Sequence, residues 1–397
     1  MHTTLQEGKP LPFGLTTQAM LLRVLCGILL CGVLGAGLWP FHAPKNEVSW
    51  LSNGNGLLFG DYGTLLSAGV FKPSVSNDGV CLEIWLEPRV IDDAGTILSF
   101  YSPDHGSVSF ALRQSLDDVA LLRKNLGDKR RINASKIYAD HVFRHGKPAF
   151  LTISSGERGT SIYVNGTLAR ASQNFRFSNE DLTGRLGIGN SSVTTDPWSG
   201  QLKGLAIYRQ ELTASQVAKH YQSWLGTGRP LVSALGGAAA LYLFNEGRGY
   251  AVHNQVDSAT DLVIPERFFV LHEPFLERPW NEYYPGWSYW EDVGINIAGF
   301  VPLGFVFYAY FLLVRRVEHP AMSTIAFGFA VSLTIEVLQA FLPTRNSGMT
   351  DLVTNTFGTA LGAMLYAWIA RNAWFAQADQ SIGSSITEKR EDLQFVQ

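Results

Sequence analysis

The chain has 397 residues, length for two or three domains, with 46% hydrophobic and 16% charged residues and a formal net charge of −3. The charged share falls below the roughly 25% of an average soluble domain, and no basic surplus marks a nucleic-acid partner. Mean hydropathy is nevertheless only +0.06, so a polar region must dilute an apolar one.

In chain order, residues 1–19 form a mostly polar tail, read as cytoplasmic, and residues 20–40 the first predicted transmembrane helix. Met20–Trp39 is apolar apart from Arg23, one turn inside, which can snorkel to an interface. A cleaved signal peptide is the competing reading of this stretch, but no tight basic cluster precedes it and Ala-x-Ala is absent. Cys26 and Cys31 lie within it, and Cys81 stands alone further on, so the middle region has no internal disulfide and no metal-ligand spacing.

Residues 45–265 change character. Val80, Leu82, Ile84 and Leu86 alternate along one predicted strand, Val108, Phe110 and Leu112 along another, Ile162 and Val164 along a third. Turn signals such as Asn53-Gly-Asn-Gly56, Asp93-Ala-Gly95 and Asn165-Gly166 separate them. One helix is predicted at Ala214–Leu225, where Thr213 and Gln216 make a capping box and Val217, Tyr221, Trp224 and Leu225 keep helical spacing. Many short strands with one helix predict a two-sheet sandwich. Glu83 and Glu87 share a strand face, but about 13 Å of strand rise separates their α-carbons. Glycosidase carboxyl pairs stand roughly 5–5.5 or 6.5–9.5 Å apart, so the two are read as solvated carboxylates flanking Trp85. Acidic loops at Asn53–Asp61 and Asp92–Asp93 are candidates for Ca²⁺.

The ordered set Glu83-Ile-Trp85-Leu-Glu-Pro88, Ser161-Ile-Tyr-Val-Asn-Gly166, Gly187-Ile-Gly-Asn190 and Trp198-Ser-Gly-Gln-Leu-Lys-Gly-Leu-Ala-Ile-Tyr208 resembles a laminin-G-like (concanavalin A-like) jelly roll. Leu241-Tyr-Leu-Phe-Asn-Glu-Gly-Arg-Gly249 is similar to the closing strand of bacterial members. The resemblance implies a fold that serves carbohydrate binding, adhesion and glucanase chemistry alike, so the expectation is limited to binding an envelope glycan or a surface protein.

Residues 266–291 form a linker with six aromatics between Trp280 and Trp290, the composition of a membrane-interface belt. Three more apolar stretches follow, Val293–Val314, Met322–Leu342 and Leu352–Ala370, within a unit spanning 292–371, and residues 372–397 are read as a second cytoplasmic tail. Lys9, Arg23, Arg315, Arg316, Arg371, Lys389 and Arg390 fall on one side of these spans. The positive-inside rule then puts both termini in the cytoplasm and the sandwich outside. The predicted fold class is an all-β jelly-roll sandwich, an ectodomain inserted in an α-helical four-span transmembrane bundle.

Two runs repeat within the bundle. Asp292, Asn296 and Gly299 have the spacing of Asp351, Asn355 and Gly358, four residues then three, one stripe of a helix. Glu336 and Gln339 share a face of the span between them, and Arg345 follows in the next loop. Polar groups at such depth cost about 2.5–3.5 kcal/mol each at a helix centre when ionisable, so Asp292, Asn296, Glu336, Gln339, Arg345, Asp351 and Asn355 are read as a predicted ligand-binding cluster, with polar contacts that only hold the helices together as the competing reading. Gly299, Gly358 and Gly362 are expected to let the helices approach.

These residues, with Pro302, Gly304, Pro343 and Trp39-Pro-Phe41, resemble the VanZ-like family, small four-helix membrane proteins named for a glycopeptide-resistance accessory. The jelly roll between the first two helices departs from its simple members. No nucleophile–base pair, metal triad or phosphate loop names a reaction, so no catalytic residue is assigned. The expectation is a multi-pass protein of the bacterial cytoplasmic membrane that holds a lipid head group in the bundle. The alternative is a membrane-embedded enzyme acting on a lipid-linked cell-wall or polysaccharide precursor.

Overall fold

A computed structural model describes residues 13–72, 79–103, 106–124, 134–193, 195–230, 237–272, 275–283 and 286–394. The chain forms two compact units, one of Met1–Phe41, Pro274–Leu342 and Asn346–Gln397, the other of His42–Glu273 and Pro343–Arg345. Among the described residues the α-helices are α1 (Phe13–Leu38), α2 (Ala214–Thr227), α3 (Pro279–Glu282), α4 (Trp287–Ala309), α5 (Pro320–Gln339) and α6 (Met349–Gln394).

The unit containing α2 is a sandwich of two antiparallel eight-stranded sheets. The first runs Val48–Trp50, Leu57–Phe59, Gly200–Tyr208, Val80–Pro88, Ala149–Gly156, Gly159–Val164 and Thr167–Ser172, with Ala238–Tyr242 also paired to Gly200–Tyr208. The second runs Ala251–Val252, Leu262–Val263, Leu65–Ser67, Arg185–Ile188, Ala94–Ser102, Ser107–Ser115, Asp118–Lys124 and Ala134–Ala139. Leu82, Ile84 and Leu86 enter the core with Phe100, Phe110, Leu112 and Leu186, as the period-two pattern requires. Asn165 and Gly166 both take positive φ, 51° and 78°, the backbone of a tight hairpin. Asp93-Ala-Gly95 is not a turn: the strand already begins at Ala94, and the Asp93 carboxylate accepts its N–H.

The central strands of the first sheet are buried on both faces. Its outer residues Cys81, Phe150, Tyr163, Ala206 and Tyr208 form a second apolar cluster with Val217 and Trp224 of α2. The predicted capping box is present, Thr213 N–H donating to Gln216 Oε1 at 2.9 Å, and Gly228 ends the helix with φ 67°. A side chain at Gly204 would run into the Trp224 ring, so the missing Cβ sets how closely α2 sits. Leu225, expected on the apolar stripe, is exposed, and His220 takes a buried place there instead.

Among the described residues of the other unit, four helices are long and apolar enough to cross a membrane: Thr17–Leu38, Trp287–Arg315, Pro320–Gln339 and Met349–Asn372. The second comprises α4 and a π-helical continuation, Tyr310–Arg315. Side chains at Gly304, Gly358 and Gly362 would strike the backbone of Thr359, Ile297 and Val301 respectively, so α4 and α6 meet backbone to backbone. Gly299 meets nothing within 4 Å of its would-be Cβ, and the close approach expected there falls to Gly304. The helix of the last span continues to Gln394.

Candidate functional site

Within the apolar bundle, polar side chains couple the helices in pairs. Asn296 Nδ2 on α4 donates to Asp351 Oδ1 in the first turn of α6 at 2.8 Å. One turn deeper, Asn355 Nδ2 meets Ser332 Oγ of α5 at 3.0 Å, and both residues are buried. Glu336, one turn from Ser332, is 1% exposed, and its Oε2 accepts the backbone N–H of Gly348 at 2.8 Å. Gln339 donates from Nε2 to Gly37 O of α1 at 2.8 Å. Because that carbonyl only accepts, the amide orientation is fixed and Gln339 Oε1 points away from it. Among the described residues no donor reaches Gln339 Oε1 or Asn355 Oδ1, although both atoms are buried. Asp292 is exposed one turn before Asn296, and Arg345 belongs to the sandwich unit. The bundle therefore holds six of the seven expected residues.

Several partners were invisible to sequence reasoning. Glu282 Oε2 at the end of α3 accepts from Thr350 N at 3.0 Å and from the Thr350 hydroxyl. Glu277 pairs with the same loop: its N–H donates to Ser347 O at 2.9 Å, and its carbonyl accepts Met349 N–H at 2.8 Å. A side chain at Gly348 would collide with the Glu282 carboxylate. Two carboxylates, Glu282 and Glu336, thus satisfy N–H groups at the start of α6, where the helix dipole favours negative charge. These contacts join segments some 70 residues apart, and nothing local in either announces the other. The aromatic linker is exposed at Trp280, Tyr283, Trp287 and Trp290, with the Arg278 guanidinium 5.6 Å above the Trp280 ring. Tyr284 of that run lies outside the described residues.

In the sandwich, Glu83 is not solvated. It is fully buried beneath α2, where its carboxylate accepts from Tyr208 OH at 2.9 Å and Trp224 Nε1 at 2.9 Å and meets His220 Nδ1 at 2.7 Å. Glu87 pairs with Lys203 at 3.3 Å. Of the loops read as candidates for Ca²⁺, Asp61 is engaged by Arg89 and Asp93 by the Ala94 N–H. Asp117, Asp118 and His141 bring ligand atoms within 4.8 Å of one another. There the Asp117 carboxylate bonds His141 Nδ1 at 2.7 Å, which holds the Asp117 carboxyl below its usual range and raises the imidazole.

Comparison with known proteins follows this division. Residues 232–370 match the VanZ/LLP1 family model, and residues 60–218 match that of the concanavalin A-like lectin/glucanases superfamily. No curated protein matches the chain. Among solved structures, a native heptameric SAP-like pentraxin from Limulus polyphemus is 16% identical over 45% of this chain and 82% of its own, with a TM-score of 0.32. A putative carbohydrate binding protein from Bacteroides ovatus ATCC 8483 is 14% identical over 55% of this chain and 58% of its own, with a TM-score of 0.38. The receptor binding domain of botulinum neurotoxin D is 12% identical over 47% and 50%, with a TM-score of 0.34. The chain is a membrane protein that joins a VanZ/LLP1 domain to a jelly roll of the concanavalin A-like lectin/glucanases superfamily.

Proposed function

We propose that this is a cell-envelope protein of the cytoplasmic membrane, with both termini cytoplasmic, whose bundle binds a lipid head group and whose jelly roll binds an envelope glycan or protein. The orientation rests on the side occupied by Lys9, Arg23, Arg315, Arg316 and Arg371. The observation that carries the head-group site is the polar layer itself. Asn296 bonds Asp351 and Asn355 bonds Ser332 between helices, Glu336 and Gln339 bond main-chain groups, and among the described residues two buried amide oxygens have no donor. Polar contacts made only to hold helices together are worth about 0.6–2 kcal/mol each, and they gain nothing from acceptors left unsatisfied. Such acceptors suit the hydroxyl or amine donors of an amphiphile's head group.

Lipid mass spectrometry of the purified protein tests this. The wild type is expected to carry a specific lipid that Glu336→Gln loses. Absence of a specific lipid from the wild type, or equal retention by both, contradicts the proposal.

A further inference from the structure

The outer face of the second sheet carries a second polar cluster. Strand register puts Thr96 opposite Arg113 and Ser99 opposite both Ala111 and Gly187, so these residues share that face. Ser192 and Asp196 both bond residues of that face. Ser192 Oγ meets Ser99 Oγ at 2.8 Å, and Thr96 N–H donates to Asp196 O at 3.0 Å. A side chain at Gly187 would press on the Ser192 hydroxyl, so glycine lets Ser192 lie close.

The Asp196 carboxylate is seated in this cradle. Arg113 Nη2 donates to Oδ1 at 2.8 Å, and the Thr96 hydroxyl donates to Oδ2. Asn190 Oδ1 accepts the Asp196 N–H at 2.7 Å, which fixes the Asn190 amide and turns its NH₂ away from that bond. Asn190 is 1% exposed, and both its Nδ2 and the Nε of Arg113 are buried with no acceptor among the described residues. The cradle thus offers more donors than its internal carboxylate uses. Buried donors without acceptors are costly, which makes their clustering at one acid informative. The charge around it has one prevailing sign. Register adds Lys124, Lys136 and Arg185 to the same face, while Asp118 at its far end accepts the His141 N–H at 2.8 Å.

We propose that this face is a binding site for a carboxylate-bearing saccharide, whose acid group exchanges with the side chain of Asp196 on Arg113 and Thr96, with the Asn190 NH₂ as a further donor beside them. Asp196 is then an internal stand-in for the ligand's acid, and Arg113 supplies the planar fork that reads a carboxylate from two nitrogens. The inference rests on the reading that the jelly roll binds an envelope glycan, and it names the chemical class of that glycan.

The test is calorimetric titration of the full chain in detergent with a trimer of galacturonic acid and a matched neutral trimer of galactose. The acidic trimer is expected to bind with an affinity that falls as salt rises. Asp196→Asn is expected to tighten that binding, and Arg113→Gln to weaken it about tenfold or more. Lys136→Gln, at an exposed position, is expected to weaken it about twofold and flatten its salt dependence. It provides the decision should the two central variants fail to fold. A folded Arg113→Gln that binds like the wild type, an Asp196→Asn that binds more weakly, or Lys136→Gln with unchanged affinity and salt dependence overturns the proposal. Preference for the neutral trimer overturns the acidic site but leaves the glycan reading standing. Binding of neither trimer removes both.

Discussion

Two buried carboxylates make opposite use of burial. Glu83 in the jelly roll is surrounded by side-chain partners, Tyr208, Trp224 and His220, that tie α2 to the sheet. Glu336 in the bundle accepts a main-chain N–H from Gly348 and bonds the Ser347 side chain, while Gln339 and Asn355 each keep one buried oxygen with no donor among the described residues. A satisfied network locks a fold, because every lost partner leaves a desolvated charge behind. A partly satisfied one is weak as a lock, and that contrast is what sets the structural network at Glu83 apart from the head-group site proposed around Glu336.

The comparison can be broken most sharply at Glu83. Glu83→Ala leaves Tyr208, Trp224 and His220 facing a void and is expected to cost the jelly roll about 3–5 kcal/mol, read as a fall in its denaturation midpoint. A cost under about 1 kcal/mol would show that the network is no lock. In the bundle, the strongest structural effect is expected from packing and not from polarity. Gly304→Ala forces α4 off the Thr359 backbone and should destabilise by about 1–3 kcal/mol, seen as a lowered melting temperature in detergent. Glu336→Gln should cost no more than about 2 kcal/mol by the same measurement, since an amide oxygen still accepts from Gly348. A larger loss would return Glu336 to a structural role.

The smallest effect concerns pH. The hydrogen bond from His253 Nδ1 to Asp261 at 2.8 Å raises the His253 pKa above its ordinary value. The stabilisation is therefore complete below the unfolded-state value near 6.5 and is lost as pH rises through the higher folded-state value. Melting temperature measured from pH 6 to 8 should fall more for the wild type than for His253→Asn, and equal slopes would remove the pair from the account (pH range about that of histidine titration).

Much of the fold was legible because its signals are local. Twenty-residue apolar runs gave the four spans, period-two alternation gave the strands, and Thr213 with Gln216 placed the start of α2. Glu83 was misread because strand alternation tells which residues share a face but not what covers it. His220, one turn before Trp224 on a helix already read as amphipathic, was the signal that the covering face carries a partner. The Asp292 and Asp351 repeats were equally visible, yet their bonding was not. Asn296 crosses to Asp351 of the other repeat, and Asn355 pairs with Ser332, a residue with no motif around it. Glu277, Glu282 and Gly348 meet only when distant segments come together, so no window of sequence could show them.

The head-group claim is tested most directly by adding extracted membrane lipid back to delipidated protein and following the melting temperature. A ligand that binds the folded bundle must stabilise it by mass action. The account predicts an upward shift for the wild type that Glu336→Gln lacks although it folds; an equal shift in both would contradict it.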